Sequence, residues 1–62
     1  MEELIAEKKC LDIKIEVLHR YMMGHQYDKL TEFERDQMIR QHIAMSQYSG
    51  VLGERINGFA SA

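Results

Sequence analysis

Apolar residues recur along the first half of the chain as Leu4, Leu11, Ile15, Leu18 and Met22, spaced seven, four, three and four apart. This is one stripe of an α-helix with a single gap, where Lys8 occupies a core-type position. Ile5, Ile13, Val17 and Tyr21 add a second apolar flank, so water covers only part of the helix. Glu2 and Glu3 sit where the positive end of the helix dipole favours acids. Gly24 can take a positive φ at little steric cost, which makes it the natural terminator. The pattern predicts a first helix over about residues 2–23.

Residues 24–30 read as a turn, with Tyr27 and Leu30 large enough to fold back and plug the open end of a hairpin. Thr31, with Glu34 three residues on, is a capping box and predicts the start of a second helix. Along it Met38, His42, Met45, Ser49, Leu52, Ile56 and Phe59 alternate at four and three residues. That 3.5-residue repeat suits a coiled-coil-like antiparallel pairing. Ile39, Ile43 and Val51 widen the apolar surface, and Tyr48 lies beside the seam. Gly50 and Gly53 each cost nearly 1 kcal/mol in a helix interior. Asn57-Gly58 is a plausible stop, giving a second helix over about 32–57. The expected fold is all-α, a single antiparallel two-helix hairpin over residues 1–62, assembling into a helical-bundle oligomer.

With the turn centred near residues 27–28, facing residues should have numbers that sum to roughly 56, because both helices rise equally per residue. Lys8 then meets the level of Tyr48 and Ser49, Leu4 meets Leu52, and Phe59 projects past the first helix. His19 and His42 fall about one turn apart. One seam cannot cover all the apolar surface on the two helices. Ile5, Ile13, Val17, Ile39, Ile43, Val51, Ile56 and Phe59 are therefore the candidate oligomer interface, and leaving them wet forfeits several kcal/mol at about 25 cal/mol per Å². A four-helix dimer or larger ring of identical copies is the economical solution, with a different protein as the competing partner.

Composition narrows the functional classes. Sixty-two residues without Pro or Trp, 45% hydrophobic and 29% charged, describe a helix-forming chain too short for an enclosed core with a separate active site. A single Cys excludes an internal disulfide and suits a reducing compartment. The formal charge of −2 opposes nucleic-acid binding by charge, and the acidic start of the second helix opposes a helix-turn-helix. No apolar run reaches membrane-spanning length. The opening residues, Met1 to Lys9, put acids first and contain no cleavable apolar segment, so they do not read as a signal peptide.

Candidate chemistry is sparse. Cys10, His19, His25 and His42 are the soft or borderline metal ligands, and none stands three or four residues from another, so no metal site and no cofactor is expected. Glu32, Glu34 and Asp36 are explained by capping and the helix dipole, which leaves no catalytic residue. The five Met residues are core fillers or an adaptable partner surface. Arg35 and Arg40 around Asp36 look like a solvated, ion-paired face. Lys8 in the seam is either a snorkelling or register-setting polar residue or part of an anion pocket between subunits. In the second reading Lys8, Lys9 and Arg55 supply charge and Tyr48 a stacking face.

The runs Leu11-x-x-Lys14-Ile15-x-x-Leu18, Tyr27-x-x-Leu30, Glu34, Gln41-x-x-Ala44-Met45-x-x-Tyr48 and Leu52-x-x-Arg55-Ile56 span nearly the whole chain. In them it resembles a family of small tailed-bacteriophage helical-hairpin proteins, known partly from crAss-like phages. Gly50 and Gly53 depart from what such a helix normally carries. The resemblance implies a phage accessory protein made in the bacterial cytoplasm, and its members bring no catalytic residue to transfer. The leading expectation is therefore a non-enzymatic binding protein directed at host defence. It would sequester a host nucleotide signal, such as a cyclic nucleotide, between subunits, or mask a host protein. The alternative is a structural or regulatory adaptor, a small virion or transcription-modulating component.

Overall fold

The computed structural model describes residues 1–61, with side-chain surroundings given as far as Phe59. Three helices follow one another: α1 over Glu2–Met22, a single turn α2 over His25–Asp28, and α3 over Glu32–Ser61. α1 and α3 pack against each other as the dominant pair, and α2 leans on α1. The result is a rod measuring 48 × 15 × 14 Å. Its radius of gyration is 14.4 Å, against about 10.6 Å for a compact chain of this length.

The half-buried and buried positions are Leu4, Lys8, Leu11, Ile15, Leu18 and Met22 on α1. On α3 they are Arg35, Met38, His42, Met45, Ser49, Leu52, Gly53 and Ile56. Alternating steps of three and four keep each set on one side of its helix, and the two stripes face each other as a single seam. Burial is shallow along it. Among the described residues Leu52, at 0% exposure, is the fully buried apolar side chain, and Ser49, at 8%, is the buried polar one. Acids in the first turn of α1 and His19 and Arg20 in its last turn complement the helix dipole at both ends.

The connection differs from a plain turn. α1 ends on Met23, whose N–H reaches the carbonyls of His19 and Arg20 at 3.1 and 3.2 Å. Gly24 then has φ −90° and ψ 171° and opens α2 from an extended conformation, so it is not a left-handed terminator. The chain leaves the helix by a tightened last turn and needs no glycine-specific geometry there. Tyr27 and Leu30 are half-buried in this connection.

Thr31 caps α3 in a variant of the expected box. The Glu34 N–H donates to the Thr31 hydroxyl at 3.1 Å, and that hydroxyl donates to the Glu34 carboxylate at 3.0 Å. The carboxylate therefore orients the capping oxygen rather than reaching the Thr31 N–H. Thr31→Ala should lower stability by about 1 kcal/mol, read as a shift of the urea midpoint at unchanged slope. At the other end α3 runs through Asn57-Gly58 to Ser61, past the stop expected at 57. Neither residue blocks helical φ and ψ; each only lowers helix propensity.

The side-chain pairing departs from the expected sum of roughly 56 at three places and keeps to it at the fourth. The pairs His19 with His42, Asp12 with Ser49 and Lys8 with Gly53 all have numbers summing to 61, while Glu7 with Tyr48 sums to 55. Side chains on each helix lean toward that helix's own N-terminus. In an antiparallel pair their tips therefore meet partners further along than backbone level alone implies. Lys8 accordingly crosses Gly53, and Ser49 belongs to Asp12.

Candidate functional site

The polar residues of the seam form two groups on opposite flanks. On one flank the Lys8 ammonium donates to Asp12 Oδ2 at 2.8 Å, and the Ser49 hydroxyl donates to Asp12 Oδ1 at 2.5 Å. Both donors favour the ionised carboxylate, so Lys8 first and Ser49 second hold the Asp12 carboxyl below the usual aspartate range. The Lys8 stem passes close over Gly53: a Cβ there would lie 3.3 Å from Lys8 Cε, a tight contact that the flexible stem relieves by moving a few tenths of an ångström. On the other flank the Tyr48 hydroxyl donates to Glu7 Oε1 at 2.5 Å. That bond, to an acceptor that prefers the protonated phenol, pushes the Tyr48 pKa up, and the nearby positive charge of Arg55 opposes it.

Linkage gives each group a pH signature. Asp12 titrates lower folded than unfolded, so its contribution is present above the unfolded aspartate pKa and is lost as pH falls through the folded value. Tyr48 titrates higher folded than unfolded, so its contribution is present below the unfolded phenol pKa and is lost as pH rises through the folded one. Stability should therefore fall at both extremes. Asp12→Asn should flatten the acid limb and Tyr48→Phe the alkaline limb, each followed by helical circular dichroism against pH.

The four residues that sequence reasoning grouped as an anion pocket are thus divided. Tyr48 and Arg55 share one flank, Lys8 turns to the other, and Lys9 lies on an exposed part of α1 away from the seam. The charge of Lys8 is met within its own chain. Asp12 was missed, although its place four residues after a seam lysine is the signal that predicts the pair. The expected ion pair of Arg40 with Asp36 forms at 3.1 Å, and Arg20 pairs with Glu16 at 2.5 Å, both exposed. His19 and His42 approach with ring centroids 5.8 Å apart. Among the described residues no group of three or more His, Cys, Asp or Glu side chains could hold a metal ion, and no helix is long and apolar enough to cross a membrane.

Between α1 and α3, on the Tyr48 flank, runs an open groove of about 420 Å³. Ile13, Val17, Tyr21, Met38 and Met45 make it apolar, and Lys14 and Gln41 supply its polar edge. Of the interface residues expected from the sequence, Ile5, Ile13, Val17, Ile39, Ile43, Val51 and Phe59 are exposed. Ile56 is not among them; it is half-buried in the seam, where its heptad position places it.

Neither a curated protein nor a solved structure matches the chain. One family model does, and it covers residues 1–58, from the first turn of α1 to the last residues of α3. The chain belongs to the phage-associated Sequestin family.

Proposed function

We propose that this is a non-enzymatic phage protein that acts by sequestration, as a counter-defence factor in the bacterial cytoplasm, and that its ligand is held between copies of the chain. Membership of the Sequestin family over residues 1–58 is the observation that carries the reading. The shape of the protomer supports the second half of it. Among the described residues Leu52 is the one fully buried apolar side chain, so they enclose no interior in which to desolvate a ligand, and the groove is open to water. A site built from more than one copy would supply the enclosure that the single rod lacks.

The ligand class that suits the exposed polar residues is an anionic nucleotide, a cyclic nucleotide signal being the leading case. Tyr48 offers a stacking face and Arg55 a bidentate cation beside it. A thermal-shift series with cyclic nucleotides tests this. A true ligand at 100 times its Kd should add about 2.7 kcal/mol per site, and Arg55→Ala should abolish the shift. No shift with any nucleotide, together with recovery of one host protein at fixed stoichiometry, would replace the reading with masking of that protein. The apolar groove lined by Met38 and Met45 is the feature that favours masking.

A further inference from the structure

The outward face of α1, opposite the seam, carries a second regular stripe: Glu3, Ala6, Cys10, Ile13, Val17 and Arg20, spaced three, four, three, four and three apart. All six are exposed, Ile13 at 61% and Val17 at 60%. The stripe is palindromic about a point between Leu11 and Asp12. Laid antiparallel on a second α1, it pairs Glu3 with Arg20, Ala6 with Val17 and Cys10 with Ile13. An acid meets a base at each end, and a small side chain meets a large one in between. The flanks carry opposite charges, Glu7 and Lys14 on one side and Lys9 and Glu16 on the other. Across the two-fold each meets its opposite about two residues, or about 3 Å, off level, although Glu7 also accepts from Tyr48 and Glu16 pairs with Arg20 within the chain.

We infer that this face of α1 is a two-fold interface with a second copy of the chain, the two α1 helices lying antiparallel and centred between Leu11 and Asp12. The area agrees. A compact chain of 7.3 kDa exposes about 4,200 Å², whereas this one exposes 4949 Å². The excess is close to the ~800 Å² that one partner gives to a standard interface. Ile13 and Val17 also line the groove, so a second α1 on this stripe continues into it and covers its outer rim. A two-fold contact makes each residue meet its mate twice, which a palindromic stripe satisfies and a head-to-tail contact does not. The inference rests on the reading of the chain as self-associating and adds which face associates.

Cys10 is the chain's one cysteine, and in this register it lies about 4.5 Å along the axis from its mate across the two-fold. A short bis-maleimide should therefore convert the native protein to a covalent dimer. Ile13→Glu should weaken association about a hundredfold or more, since it puts two charges into the centre of the patch. Lys9→Glu should weaken it about tenfold, and Lys9→Glu with Glu16→Lys should recover most of that loss, all read by sedimentation. An associated protein that does not cross-link, or a double variant no better than Lys9→Glu, would overturn this face while leaving self-association intact. A protein that cross-links and shows the charge rescue yet binds no nucleotide would keep the interface and overturn the ligand. A folded single chain at every concentration would overturn both.

Discussion

Leu52→Ala should unfold the dilute protein. Leu52 is the one fully buried apolar side chain among the described residues, so its truncation loses the transfer free energy of the removed carbons and leaves a void in the tightest part of the seam. Such changes cost about 2–5 kcal/mol. A single core in a chain below 70–80 residues rarely supplies more than about 3–5 kcal/mol, so the loss consumes most of what holds the helices together. Helical circular dichroism at 222 nm against urea measures it. Val51→Ala, one residue away but about half exposed, should shift the midpoint by less than about 1 kcal/mol. Equal effects at the two positions would mean that the seam is not where stability resides.

The stability of the native protein should fall with dilution. If the folded state is two copies and the unfolded state is one, each tenfold dilution removes about 1.4 kcal/mol per dimer, so a thousandfold series spans about 4 kcal/mol. The expectation follows from the distribution of burial. Ile13, Val17, Ile39, Ile43 and Phe59 stay in water in the single chain, and a rod two helices wide has no second layer to bring over them. Melting curves across the series should move steadily to lower temperature, and superimposed curves would show that the lone hairpin folds unaided.

What the sequence discloses here is governed by periodicity. The steps of three and four place the apolar seam residues from Leu4 to Ile56 correctly, because a helix maps spacing directly onto a face. They leave out Arg35, read as part of a solvated face and found half-buried, and Gly53. The same arithmetic reveals the exposed flanks, since a residue off the stripe of a two-helix rod has nowhere to hide. It does not reveal the lean of side chains along each helix, which moves Lys8 from Tyr48 to Gly53 and gives Ser49 to Asp12. Nor does it weigh competing terminators. Gly24 can adopt a left-handed conformation but is not compelled to, and Asn57-Gly58 lowers helix propensity without closing the helix. The proposed pocket was partly legible for the same reason. Tyr48 and Arg55 are two turns apart on one helix and stay together, whereas Lys8 joins them only across a register that the structure sets differently.

Sedimentation equilibrium of the native chain, from micromolar concentration downward and with helicity recorded on the same samples, tests the central claim most directly. The account predicts a folded particle of at least twice 7.3 kDa that loses helicity as it dissociates. A particle of 7.3 kDa that keeps its full helicity would contradict it.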